Sequence, residues 1–183
     1  MPETLSDEAL VAIIREKDKE MYREVIHRYE PKLDRYIRKF ILDADERADV
    51  LQETFIKAYR NLQGFDEEKK FSSWIYRIAH NESLNHIKKY AKDGVSIEEH
   101  EIDVIDRQMN LGMAVDRTLL REAFQHALLE LKPKHREPLI LFFFEEKTYE
   151  EISDILRLPK STIGTLISRG KTYIKKYLDT NHI

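Results

Sequence analysis

Apolar residues recur every three or four positions along most of this chain, and that spacing predicts helices. Ser6 is placed to cap a first helix, with Asp7 and Glu8 in its opening turn and Leu10, Ile13 and Ile14 on its apolar side. A second helical segment is expected from about 19 to 42, where Met21, Val25, Tyr29, Leu33, Tyr36, Ile37, Phe40 and Ile41 share a face. Pro31 is read as starting a new turn within it. Asp45 is placed to cap a third helix that runs to about 62, with Val50, Leu51, Phe55 and Tyr59 periodic. Gly64-Phe65-Asp66 punctuates the pattern, and a fourth helix is expected over about 71 to 89.

Asp93-Gly94 then breaks the periodicity. Residues 95–116 are acidic, with scattered apolar positions and no sustained period, which reads as a flexible linker. The helical pattern resumes with Leu119, Leu120, Phe124, Leu128 and Leu129. Pro133 interrupts it, and Leu139 to Phe144 reads as a buried helical run. The fold class is therefore all-α: two small helical domains, 1–90 and 119–183, joined by an acidic linker at 91–118.

The end of the chain is the most specific stretch. Thr148 and Glu151 form a capping box, so a helix should start there, with Tyr149, Ile152, Ile155 and Leu156 on one face. Leu158-Pro159 should end it, because proline disfavours helical geometry in the preceding residue. Ser161 or Thr162 can cap a second helix. Its apolar stripe is Ile163, Leu166, Ile167, Ile174, Tyr177 and Leu178. The other face offers Lys160, Thr165, Ser168, Arg169, Lys171, Thr172, Lys175 and Lys176. One packing side, one basic hydrogen-bonding side and a tight turn are what a helix-turn-helix needs to hold duplex DNA.

Composition narrows the function classes. Of the 183 residues 42% are hydrophobic and 36% charged, enough for real cores beneath a solvated helical surface. Cysteine is absent, so disulfides and thiolate metal sites are excluded. No apolar run approaches the ~20 residues of a membrane span. The opening Met1-Pro2-Glu3-Thr4-Leu5 lacks the basic-then-apolar pattern of a signal peptide, and a cytoplasmic protein without membrane insertion is expected. The net charge of −3 is unevenly spread: residues 93–118 carry two Lys or Arg against seven Asp or Glu.

Two further constellations stand out. The helix from Phe71 interleaves Trp74, Tyr76, Arg77, His80, Asn81, Asn85, His86, Lys88 and Lys89 with apolar residues. Aromatics, amides and cations together suit unstacked bases, each stacking contact being worth about 1–3 kcal/mol. The same pattern also fits an amphipathic helix whose tryptophan packs in a core. The third helix carries Asp49, Gln52, Glu53 and Ile56 on or beside one face, a surface that could dock a partner helix or simply be solvated. Catalysis is not expected. Glu24-x-x-His27 is half of a di-iron bundle motif, but Glu82 and His86, like Glu122 and His126, are four apart, and no phosphate-binding glycine loop occurs.

These segments, in this order, resemble a bacterial RNA polymerase sigma factor of the sigma-70 family, in the small extracytoplasmic-function (ECF) group. The resemblance spans nearly the whole chain. It implies that Asp49, Gln52, Glu53, Phe55 and Ile56 bind the clamp helices of the polymerase β′ subunit, although Phe55 also fits a core position. It implies that the loop 63–70 and the Phe71 helix melt promoter DNA and read the −10 element through Trp74, Tyr76, Arg77, His80, Asn81, Asn85, Lys88 and Lys89. It implies that the helix-turn-helix reads the −35 element through Lys160, Ser161, Thr162, Thr165, Ser168, Arg169, Lys171 and Lys175, and meets the β flap. Core RNA polymerase, promoter DNA and an anti-sigma factor are the implied partners, with no cofactor. The chain departs from the family pattern where the recognition helix often begins Gly-Thr-Val-Lys-Ser-Arg: Gly164 and Leu166 stand at the lysine and arginine positions, and Arg157 replaces a glycine in the turn. The alternative, an autonomous helix-turn-helix regulator, explains residues 148–178 but neither the Trp74 helix nor the Asp49 segment.

Overall fold

The computed structural model describes residues 5–91 and, apart from 125 and 129, residues 123–181. Among them every regular element is a helix. The chain forms two compact units, Met1–Asp93 and Gly94–Ile183. The linker expected at 91–118 lies outside the described residues except Ala91, which ends a helix. The apolar positions Leu119, Leu120 and Leu129 also lie outside them.

The first unit contains α1 (Asp7–Glu16), a 3-10 turn (Lys19–Met21), α2 (Tyr22–Ile37), α3 (Ala44–Asn61), a second 3-10 turn (Leu62–Gly64) and α4 (Phe71–Ala91). Ser6 caps α1 as expected, accepting from the Ala9 N–H at 3.1 Å. The expected segment over 19–42 is divided. A 3-10 turn precedes α2, and tight bonds from Lys39 to Tyr36 and from Phe40 to Ile37 close its end. Pro31 sits inside α2 on its exposed side. The cap of α3 is Asp43, not Asp45. Asp43 is extended, as a cap must be, whereas Asp45 is already helical, and the Asp43 carboxylate accepts from the N–H groups of Asp45 and Glu46.

Leu10, Val11, Tyr29, Leu33, Tyr36, Ile37, Ala58, Phe71, Ile75 and Tyr76 form the centre of the first core. Aromatic edges meet faces within it: Tyr29 and Phe65 each contact Phe71 with ring centroids 5.5 Å apart. Buried Thr54 and Ser83 turn their hydroxyls back to the carbonyls of Val50 and Ala79, so neither is left unsatisfied.

The second unit contains helical turns at 123–124 and 126–128, then α5 (Pro133–Phe143), α6 (Tyr149–Leu156) and α7 (Lys160–Thr180). Proline opens α5 at its first turn, where a missing N–H costs nothing. The apolar run after Pro138 is not wholly buried. Leu139, Ile140 and Leu141 are core, but Phe143 is 41% exposed. Five consecutive helical positions, 139–143, turn through more than a full circle, so some must face outward.

The expected capping box at Thr148 and Glu151 is complete, with both reciprocal bonds formed. Arg157 takes the left-handed conformation, φ 55°, that glycine would adopt freely, so the turn keeps its shape despite the substitution. Ser153 secures it: its carbonyl accepts from the N–H groups of Arg157 and Leu158, and its hydroxyl donates to the Leu158 carbonyl at 2.6 Å. Neither Ser161 nor Thr162 caps α7. The helix starts two residues earlier than a Ser161 cap would place it, with extended Pro159 at the cap and no side-chain bond. Gly170 lets α7 approach α5 closely: a Cβ there would stand 2.5 Å from Leu139 Cδ1.

Candidate nucleic-acid interface

On α3, Asp49 and Gln52 are exposed and Glu53 and Ile56 half-exposed, so one face carries four of the five residues assigned to polymerase. Phe55 resolves to the core position. The residue is 7% exposed, and its carbonyl accepts from Tyr22 Oη at 2.7 Å. It floors a groove of about 480 Å³ between α2 and α3, with Ile26, Leu51, Gln52, Ile56 and Tyr59 on the walls. Glu53 lies 3.5 Å from Lys57, whose ammonium sits closer, 2.5 Å, to Glu82 on α4. That hydrogen bond to Glu82 is the main reason the Lys57 pKa is raised.

Helix α4 is three-sided. Toward α2 it sends Tyr76 and His80. Tyr76 packs 5.2 Å from the Tyr36 ring, and His80 Nδ1 lies 3.0 Å from Tyr36 Oη. They are 2% and 5% exposed, and burial pushes the His80 pKa down to about 4. These two residues, expected on the DNA face, stand in the core, and neither can touch a base without unpacking the helix. Toward α3 the helix sends Glu82 to Lys57, and His86 to Glu46 at 3.0 Å. The third side is open: Asn81, Asn85, Lys88 and Lys89 are exposed, and Trp74 and Arg77 are half-exposed. Trp74 rests against Phe65 and Phe71, at 5.4 and 5.6 Å, and so combines core contact with a partly open surface.

Arg15 was not singled out by sequence reading. From α1 it reaches across to the loop between α3 and α4. Its Nε lies 2.8 Å from the Leu62 carbonyl, Nη1 lies 2.6 Å from a Glu67 carboxylate oxygen, and Nη2 donates to the carbonyls of Leu62 and Phe65. Glu8, also on α1, accepts the Phe71 N–H at 3.1 Å and so caps α4 from 63 positions away. No local sequence signal announces either contact.

In the second unit, α7 buries Ile163, Ile167, Gly170 and Ile174. Lys160, Ser161, Thr165, Ser168 and Arg169 are exposed, and Thr162 half-exposed. Lys160 lies 3.6 Å from Glu150. The pKa of His135 is lowered by partial burial and by Lys134, Arg169 and Lys132, so cations from α5 and α7 gather there. Lys171 and Lys175 are exposed as well, on the side of α7 that borders Phe142 and Phe143. Lys171 lies over the Phe142 ring at 4.2 Å, and both lysines rim a groove of about 270 Å³ with Phe124, Phe143 and Leu178. Gly164 is not compelled by packing, since a Cβ would meet only the Tyr149 ring at 3.7 Å. Leu166 is half-buried, part of the apolar stripe as expected.

Among the described residues no helix is long and apolar enough to cross a membrane, and no group of three His, Asp or Glu could hold a metal. Glu24 is held by Arg28 at 2.8 Å.

Fold and surface define a class: two helical modules on one chain, the second a helix-turn-helix with a cationic face. Comparison with known proteins narrows it. Residues 25–93 match the model of Sigma-70 region 2, and residues 121–174 that of Sigma-70 region 4. The RNA polymerase sigma-H factor of Pseudomonas aeruginosa is 33% identical over 180 residues, covering 94% of this chain and 93% of that protein. The ECF RNA polymerase sigma factor SigW of Bacillus subtilis is 29% identical over 173 residues, 90% and 92% of the two chains. The sigma factor RpoE of Bartonella quintana, solved with the anti-sigma factor NepR, superposes with a TM-score of 0.68 at 20% identity, over 86% of this chain and 96% of that one. The chain belongs to the sigma-70 family of RNA polymerase sigma factors, in its ECF group.

Proposed function

We infer that this protein is a transcription initiation factor that binds core RNA polymerase, directs it to promoters by recognising −10 and −35 elements, and helps open the DNA. The observation that carries this reading is the presence of both sigma modules, in family order, on one chain related over nearly its full length to sigma factors. It performs no chemistry of its own and acts in the cytoplasm, where polymerase and promoter are.

Asp49, Gln52, Glu53 and Ile56 form the polymerase face, with the α2–α3 groove beside them. The loop 63–70 and the open side of α4 receive unstacked −10 bases: Trp74 offers its half-exposed ring, Asn81 and Asn85 amide groups, and Arg77, Lys88 and Lys89 charge. Unstacking costs a few kcal/mol, which stacking and backbone contacts offset. In the second module Lys160, Ser161, Thr162, Thr165, Ser168 and Arg169 face the −35 duplex, phosphate contacts setting the register. The groove rimmed by Lys171 and Lys175 is the seat for the β flap. An anti-sigma factor that covers these faces fits the relative solved with one.

The test is reconstitution. Core polymerase supplemented with this chain should initiate at discrete promoters that core alone ignores, and charge reversal at Glu53 should weaken core binding with the fold intact. Binding to duplex DNA without any affinity for core would instead identify an autonomous regulator.

A further inference from the structure

The loop between α3 and α4 has short-range bonds of its own, from the Phe65 N–H to the Leu62 carbonyl, from the Lys69 N–H to the Asp66 carbonyl and from the Glu68 N–H to the Asp66 carboxylate, but little buried apolar surface. Between Leu62 and Phe71 only Phe65 is buried; Asp66 to Lys70 are exposed and charged. Fixing so exposed a backbone in one shape is entropically costly, and contacts from outside the loop help to hold it. Arg15 supplies it. A guanidinium is a rigid fork of five donors, and here it spans two loop carbonyls, those of Leu62 and Phe65, and the Glu67 carboxylate. It also lies 5.7 Å from the Phe65 ring centre. Glu8 holds the far end of the loop at the Phe71 N–H. Both residues belong to α1, which lies outside the stretch matched by the region 2 model.

We propose that Arg15 is a positioning residue for promoter melting: it holds the 62–67 loop in the shape that receives an unstacked −10 base, without touching the DNA. The proposal rests on the reading that this loop and the start of α4 capture such a base. The Arg15 side chain is 12% exposed and directed into the loop backbone. It also neutralises Glu67, whose carboxylate is 57% exposed on the loop that would meet a polyanion. Without it the loop samples other shapes, and affinity for the base falls by the fraction of time the receptive shape is lost.

Holoenzyme assembled from the full chain and core polymerase provides the assay. The probe is a fluorescent non-template-strand oligonucleotide carrying the −10 element of a promoter that the wild-type holoenzyme opens. Arg15→Met should leave core affinity and −35 duplex binding unchanged and weaken oligonucleotide binding about tenfold, the result of a receptive population near one-tenth. Arg15→Lys should recover only part, because one ammonium cannot span the same acceptors. Hydrogen exchange at the amides of 63–69 should quicken in Arg15→Met and not on α3. Unchanged oligonucleotide affinity overturns the proposal. An equal fall in core and oligonucleotide binding also overturns it, since Arg15 would then support only the fold. A third variant, with residues 66–69 replaced by Gly and Ser, separates the two readings. If it binds the oligonucleotide normally, base capture by this loop is wrong. If it fails while Arg15→Met binds normally, only the role of Arg15 is.

Discussion

Helices α4 and α7 are each 21 residues long and each carries a mixed face of amides, hydroxyls and cations, yet the fold uses them differently. Helix α4 is held on two sides, with aromatic packing toward α2 and, toward α3, the Lys57–Glu82 ion pair and the His86–Glu46 contact, and its first N–H is capped from α1. Only a narrow strip remains open. Helix α7 is buried along one stripe, its start has no side-chain cap, and its front is open. On the proposed reading, the helix that helps separate strands is braced from several directions, whereas the helix that reads an intact duplex has one firm back and a free face. The same residue types are therefore core on one helix and surface on the other.

Substitution along α4 should break this comparison most sharply. Tyr76→Ala should destabilise the first unit by about 3–5 kcal/mol, as expected for a deleted core aromatic, measured by denaturation of the full chain followed through its single tryptophan, Trp74. Asn81→Ala should leave stability within about 0.5 kcal/mol and impair promoter opening. If Tyr76→Ala melts at the wild-type midpoint, the assignment of that side of the helix to the core is wrong.

Acid should also act on the first unit through His80. Unfolded, its imidazole titrates near 6.5; folded, burial lowers that to about 4. Between those values the unfolded chain holds the extra proton, so this contribution is complete above pH 6.5 and is lost as pH falls toward 4. It amounts to about 3 kcal/mol in all. Denaturant midpoints across this range, compared with those of a His80→Gln variant whose slope should be flatter, check it.

The two glycines of α7 sharpen the contrast within a single helix. Gly170→Ala drives a methyl into Leu139 and should cost about 1–3 kcal/mol. Gly164→Ala meets only the Tyr149 ring at ordinary contact and should gain up to about 1 kcal/mol. Thermal melting of both variants would reverse the argument if their shifts shared a sign. The smallest effect concerns salt. Arg169→Ala should reduce the slope of −35 binding against salt by about one, as for one lost phosphate contact. Lys171→Ala, on the flank over Phe142, should change it less. Equal slopes for the two would give Lys171 the same role as Arg169.

Much of the fold was legible in the sequence because helices declare themselves locally. Apolar spacing located α2, α3, α4 and α7 to within a few residues, and the Ser6 cap and the Thr148–Glu151 box are written in neighbouring positions. Family order along the chain carried the function. Errors arose where local signals were degenerate: Asp43 and Asp45 are equally good capping residues by type, and only backbone geometry separates them. The split of α4 into two packed sides and one open side was not legible, because it depends on where α2 and α3 lie. Periodicity tells how residues are arranged around a helix, but not how many neighbours that helix has. Burial of Tyr76 and His80 follows from Tyr36, which is 40 residues away from Tyr76 in sequence. The grip of Arg15 on a loop 47 positions ahead has no local trace at all. Sequence alone determined the helices, their order and the family. Tertiary structure decided which polar residues hold the protein together and which stay on the surface, because that choice is made by non-local contacts.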